Sequence, residues 1–289
     1  MDHVSAKRVL RCDDDVLSLL VEHGLRVDAN TGCFSHCDVM NTGLYSGTGR
    51  SIPELAERFI TRFATEAPET WTELRRWRLS VEGRCTKGGG CRDGEWQVSA
   101  PAGGDSWSAA APSGETFRAD WEVRTSGRRM DVSLDPAREL HRECIERFAE
   151  GVWQYQYLPA SLRTDPNAAD ALGVMDCFAL ARWLSERLHR VGVRARFRHG
   201  LFLAFMGVEH AWVEIRDTDG IFKPLDPVIA MLAARSAGAP SDFTAFTRGS
   251  QLNRVLAWPA DTPAILAHVC SGEQRPVILM ASAVAAERG

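Results

Sequence analysis

A chain of 289 residues, 45% hydrophobic and 25% charged, has the makings of a soluble globule with a sizeable core, in one large domain or two modest ones. Its net charge of −4 and the lack of a sustained Lys/Arg run exclude a nucleic-acid footprint, and Arg75-Arg76-Trp77-Arg78 and Arg194-Ala195-Arg196 read as solvated strand faces. No segment has the length of an apolar membrane span and the opening MDHVSAKRVLRCDDDVLSLL lacks a signal-peptide pattern, so the expectation is a cytoplasmic protein with no membrane partner. In that compartment the eight cysteines, irregularly spaced, are expected to be thiols rather than a disulfide framework.

Asp13 to Arg26 reads as a capped helix with acidic residues at its start and Gly24 near its end. Val27 to Gly49, rich in Gly, Asn, Thr and Ser, reads as loop or short strands. Within it Cys33-Phe34-Ser35-His36-Cys37 offers two thiols and an imidazole that could ligate zinc with Cys85 and Cys91. The spacing fits no regular zinc module, so structural thiols are the expectation and no metal is assigned. Ser51, with Glu54 three residues on and Leu55, Phe59, Ile60 and Phe63 on one face, opens a helix that reaches about Ala67.

From Trp71 to about Leu134 the pattern changes to short alternating runs, Trp77-Leu79-Val81, Trp96-Val98, Phe117-Trp121-Val123 and Met130-Val132-Leu134, broken by turn residues. These predict an antiparallel meander whose period-two aromatics serve as core rather than as a carbohydrate- or acyl-binding face. Asp135-Pro136-Ala137 starts a new helix carrying Leu140, Cys144, Ile145 and Phe148, and the composition shift here divides residues 1–134, an α/β unit with an antiparallel meander, from 135–289. Leu158 to Leu172 reads as a loop leading into the next helix and lining a cleft.

The stretch Gly173 to Pro227 carries the chemistry. After Asp176 the apolar residues Phe178, Leu180, Ala181, Trp183, Leu184 and Leu188 fall mostly at helical steps, and Gly192 closes the run. With Asp176 at the N-cap, Cys177 lies in the first turn, where unpaired amides and the helix dipole favour a thiolate. Val193 to Leu203 reads as a strand, and Glu209 to Ile215 alternates so that His210, Trp212 and Glu214 share one face. Asp217-Thr218-Asp219-Gly220 then turns the chain so that Ile221 to Asp226 returns beside it. Cysteine, histidine and aspartate thus follow one another in the order a nucleophile, its base and the base's orienter could take; His199 is the competing base, read as surface or supporting. After Pro227 a helix to about Ala237 is expected, followed by short runs at Val255-Trp258 and Val277-Met280.

The Cys177 helix, the His210-Ala211-Trp212-Val213-Glu214 strand and the Leu225-Asp226-Pro227 strand end resemble the transglutaminase-like superfamily of papain-fold cysteine enzymes, over roughly residues 140 to 230. The resemblance implies an α+β fold with a papain/transglutaminase-like core, the nucleophile helix packed on an antiparallel sheet, making 135–289 the catalytic domain beside a β-rich N-terminal unit. It also implies Cys177 as nucleophile, His210 as base and acid, and Asp226 as orienter. One departure is Phe222, where members often carry Trp. An oxyanion donor is expected from Gln154, Tyr155, Gln156 or Tyr157, and shelter for the substrate from Trp153, Phe202, Phe205 or Trp212.

The expected reaction is acyl transfer through an acyl-Cys177 thioester, with a small-molecule or peptide acyl donor, a carrier-protein thioester among the options, and an amine acceptor. It needs no cofactor. An amide-forming acyltransferase of bacterial specialised metabolism is preferred; the alternatives are an amidase or cysteine peptidase, and a binding protein whose triad is inactive.

Overall fold

The computed structural model describes residues 1–85, 91, 94–99, 104–109, 116–203, 207–235, 241–259, 266–270, 273–275 and 277–285. It begins with three short helices, α1 (His3–Leu10), α2 (Asp14–Glu22) and α3 (His36–Leu44), which bury Ala6, Leu10, Leu17, Phe34 and Val39 against one another. Two of these differ from the sequence expectation: α1 was not predicted and α3 replaces a predicted loop. The side chains of Asp2 and Ser35 cap them by accepting from backbone N–H groups, and burial of one apolar stripe outweighs the weak intrinsic helix preference of Asn, Thr and Gly in α3. Next, α4 (Ile52–Ala64) opens on the expected capping box: Glu54 Nα donates to Ser51 Oγ, and Ser51 N–H donates back to Glu54 Oε2 at 3.1 Å.

The strands that follow are β1 (Arg75–Cys85), β2 (Glu95–Val98), β3 (Gly104–Ala109) and β4 (Thr116–Thr125). β1 pairs antiparallel with β4, which puts Leu79 opposite Trp121 and Trp77 opposite Val123, and these alternate residues enter one apolar core as expected. The run is not a simple meander, however, because β2 leaves it for a second sheet. Met130 to Leu134 is not a strand either. There the backbone donors are taken by side chains, Met130 N–H by Ser250 Oγ and those of Ser133 and Leu134 by the Asp217 carboxylate.

The chain continues through α5 (Asp135–Ala149), β5 (Gln154–Tyr155), α6 (Ala160–Thr164), α7 (Pro166–Ala171), β6 (Val174–Met175) and α8 (Cys177–Arg190). The predicted loop before the nucleophile thus holds two short helices. After α8, Gly192 adopts φ +79°, which lets the chain turn into β7 (Ala195–Leu203), β8 (Gly207–Arg216) and β9 (Phe222–Leu225). Then come α9 (Pro227–Ala234), α10 (Ser241–Phe246), β10 (Val255–Ala257), β11 (Leu266–Cys270), β12 (Glu273–Arg275) and β13 (Val277–Ala285).

The larger sheet runs β10-β7-β8-β13-β1-β4-β3, with β9 also on β8. Strands from both sides of residue 134 therefore join one sheet, through β13. The β8 residues Ala211, Val213 and Ile215 pack beneath α8 with Leu180, Leu184 and Leu188, a core that also holds Trp153 and Trp183. Phe202 points the other way, into a cluster with Phe63, Trp71, Ile229 and Phe243. Among the described residues, no helix is long and apolar enough to cross a membrane.

Candidate active site

α8 starts where its sequence says it should. Asp176 has extended backbone angles, its Oδ1 accepts from Ala179 N–H at 2.9 Å, and Cys177 is the first helical residue, in the turn whose amides lack intrahelical acceptors. The other oxygen, Oδ2, accepts from Arg163 Nε at 2.5 Å, and Asp176 is buried. This places a guanidinium beside the helix start, stacked 4.7 Å over Phe178. Burial works against the Arg163 charge, but the Asp176 carboxylate, joined by Cys177, more than offsets it and holds Arg163 above the ordinary guanidinium range. Arg163 was not a sequence candidate; a single arginine in a polar stretch gives no local signal.

His210 on β8 is buried, and the Cys177 thiol lies 4.0 Å from the carbonyl of the preceding residue, Glu209. The His210 Nε2 lies 2.6 Å from Asp226 Oδ2, so the ring's other nitrogen, Nδ1, is the one left to serve the thiol. Asp226 ends β9 and caps α9: its Oδ1 accepts from Ile229 N–H at 3.2 Å, which fixes the carboxylate for the imidazole. Burial disfavours the imidazolium, yet the Asp226 charge and hydrogen bond, together with Cys177, raise His210 to about 10. Because the folded value lies above the ordinary 6.5, this pair's stabilisation is fully present below about 6.5 and lost as pH rises through about 10. With Asp226→Asn only burial dominates, so the His210 ring signals followed by NMR are expected to titrate below 6.5; an unchanged titration near 10 would contradict the pairing.

Two aromatic rings flank the imidazole, Trp212 stacked at 5.9 Å and Phe202 edge-on at 6.2 Å, and both are buried. Of the other shelter candidates, Phe205 lies outside the described residues. Trp153 is a core residue instead: it is 2% exposed, packs at right angles to Trp183, and donates Nε1–H to Asp170 at 2.8 Å. A polar-tipped ring of that size is satisfied by the half-buried carboxylate of Asp170 on α7. His199 stacks on Phe197 at 6.1 Å and stands opposite Ala211 in the β7–β8 register.

The oxyanion candidates separate by alternation. β5 runs parallel to β6, immediately before Asp176, and this brings residues 154–157 alongside the nucleophile. Tyr155 and Tyr157 are both raised, first by burial and then by the neighbouring Cys177 charge. Gln154 and Gln156 alternate with them and bond each other at 3.0 Å on an exposed surface. Asn41 on α3 clamps Tyr157 through both backbone groups, at 2.7 and 3.0 Å, and Tyr45 Oη donates to Tyr155 O, so the missed helix α3 holds this wall.

A second unpredicted residue is His141 on α5, fully buried, whose Nε2 lies 3.4 Å from the Oγ1 of Thr247, whose carbonyl in turn accepts from Asp226 N–H at 3.1 Å. Burial lowers His141 to about 4, so it is a neutral prop for the orienter. Its one sequence signal was a histidine on the apolar face of α5. A cavity of about 540 Å³ including its mouth opens on the Asp226 side, lined by Trp212, Glu214, Phe222, Asp226 and Leu252 but by neither Cys177 nor His210. Cys33, His36 and Cys37 belong to the start of α3 and do not gather with Cys85 and Cys91.

No family model matches the chain, and no curated protein does. Among solved structures it is similar to a candidate cysteine protease from Cytophaga hutchinsonii, at 8% identity and a TM-score of 0.40, over 75% of this chain and 93% of that one. It is also similar to a TGase at 13% identity and a TM-score of 0.24, over 44% of each chain. Likenesses this distant carry no argument about chemistry, which rests on the residues themselves.

Proposed function

We propose that the protein is a cysteine-dependent acyl-transfer enzyme with a transglutaminase-like core, in which Cys177, His210 and Asp226 are nucleophile, acid–base and orienter. The observation that carries this is the relay itself: a thiol in the first turn of α8, 4.0 Å from the Glu209 carbonyl and so beside the next residue's imidazole, whose Nε2 is held 2.6 Å from a buried carboxylate. Cys177 Sγ attacks the acyl carbonyl carbon, and electrons move onto its oxygen. The first-turn amide of α8 and a Tyr155 or Tyr157 hydroxyl supply donors to that oxygen. Collapse expels the leaving group, which takes the proton from His210 Nδ1, and a thioester remains on Cys177. An amine then attacks the thioester, His210 accepts its proton, and the sulfur leaves.

The apolar flank of Trp212 and Phe202 favours an amine over water in the second step, because it shelters the thioester. Partitioning tests this: the acyl-enzyme is formed from a synthetic thioester, amine is added in steps, and amide is measured against free acid. The expected amide fraction rises with amine concentration, since two nucleophiles compete for one intermediate. Free acid alone across varied amines would make the protein an amidase or peptidase. No acyl adduct on Cys177 by intact mass would remove the covalent mechanism altogether.

A further inference from the structure

Away from the triad, in the core beneath β1 and β4, four chemistry-bearing side chains converge. Cys85 ends β1, Cys91 follows six residues later, and His268 and Cys270 sit on alternate positions of β11, hence on one face of that strand. All four are buried, and their candidate ligand atoms lie within 4.8 Å of one another. Cys91 Sγ is 3.0 Å from His268 Nε2 and 3.2 Å from Cys270 Sγ, well inside the ordinary packing contact of about 4 Å.

We propose that Cys85, Cys91, His268 and Cys270 form a structural zinc site of the Cys₃His type. A tetrahedral ion with Zn–S of about 2.3 Å and Zn–N of about 2.0 Å sets its ligand atoms roughly 3.5 to 3.8 Å apart, the middle of the range these residues span. Three soft thiolates and one imidazole select zinc over the oxygen-loving cations. Four protein donors close the site, as structural rather than catalytic zinc requires.

Three features of the surroundings fit a built site. Gly94 brings its backbone so close that a Cβ there would lie 2.0 Å from His268 Cε1 and 2.6 Å from Cys91 Sγ, so the backbone at this position closes on the cluster without a side chain. The Trp96 ring covers the imidazole at 4.2 Å. The three thiols share one apolar core with Phe117 and Leu266, which keeps the cluster from water.

The site's effect would be to staple the small sheet β12-β11-β2 onto the end of β1. Those strands span only three to five residues each, too little to hold themselves. In the sequence Cys85 and Cys91 group with Cys33, His36 and Cys37 as candidate ligands, and no local signal points to His268 or Cys270. The true companions lie about 180 residues downstream, beyond the reach of any spacing rule.

The test is metal content and cobalt spectroscopy on the full chain purified from zinc-supplemented medium. One zinc per chain is expected, and Co²⁺ exchanged into it should show thiolate charge-transfer bands with intense tetrahedral d–d bands. Cys91→Ser and Cys270→Ser should lose the metal, whereas Cys33→Ser and Cys37→Ser should keep it. Should the serine variants fail to fold, His268→Cys retains four donors, and its cobalt bands should shift to the all-sulfur pattern. The proposal is overturned by wild-type protein with negligible zinc and no cobalt–thiolate bands, by a cobalt spectrum indifferent to His268→Cys, by metal lost from Cys33→Ser or Cys37→Ser instead, or by a Cys91–Cys270 disulfide in the mapped peptides.

Discussion

Cys177→Ala and His210→Ala are each expected to lower turnover by a factor on the order of 10⁴ to 10⁶, with the fold intact. The loss is large because the two act as one unit: without the thiol there is no thioester, and without the imidazole nothing protonates the leaving group. The fold should survive, since Cys177→Ala removes a single buried atom and costs only about 1 kcal/mol. Asp226→Asn should be roughly tens of times milder than either, because asparagine still caps α9 and still touches the ring while losing the charge. Asp226→Ala removes the cap as well, adding about 1 to 2 kcal/mol of destabilisation. Peptide mapping after limiting iodoacetamide gives an independent reading, with Cys177 expected to label first of the eight thiols. A loss of turnover in His199→Ala equal to that in His210→Ala would mean that the base is misassigned.

The largest stability effect is expected away from the nucleophile. Asp217, in the turn between β8 and β9, is fully shielded from solvent and accepts from Ser133 N–H at 2.8 Å, Ser133 Oγ at 2.7 Å, Leu134 N–H at 3.2 Å and Lys223 Nζ at 2.6 Å. Lys223 is nearly as buried and also donates to Asp131 O at 2.7 Å. Asp217→Ala leaves that ammonium to Asp219 Oδ2 at 2.8 Å and the Asp131 carbonyl but strands the Ser133 and Leu134 donors, so a cost of about 2 to 4 kcal/mol is expected in urea denaturation. Asp217→Ala with Lys223→Met should recover part of it, because the buried ammonium, short of one carboxylate, is then gone. Burial alone would raise the Asp217 carboxyl; Lys223 and the Ser133 donors overcome this and hold it below the ordinary 3.8. Its contribution is accordingly present above 3.8 and lost only as pH falls through the lower folded value. Turnover should fall with stability, since this turn sets how β8 presents His210 to Asp226.

Local signals served where structure is locally decided. The Ser51–Glu54 box, the Asp176 cap, the alternation around His210 and the Asp217-to-Gly220 reversal each depend on neighbours within a few residues, and each is seen. The pairing of His210 with Asp226 is likewise near-local, because β8 and β9 are consecutive and lie side by side. What escaped was decided at a distance. α3 is helical through burial against α1 and α4, which its own polar sequence does not announce. Met130 to Leu134 alternates as a strand does, yet residues 217 and 250 take its donors. Trp153 has the composition of a cleft residue and the environment of a core one, because Asp170 receives its indole N–H.

The position of β13 bears on how such a chain is made. β1 is ready early in synthesis and β8 much later, but the strand that lies between them emerges after both, with Trp77 paired to Ala285 about 200 residues on. Until it threads in, two half-sheets face each other with open edges, and a nascent polypeptide carries them exposed for as long as translation lasts. Closure by the last strand is thus a late, entropically demanding event. It also acts as a quality check, because a product cut short before Val277 would leave both edges uncovered for chaperones and proteases to find.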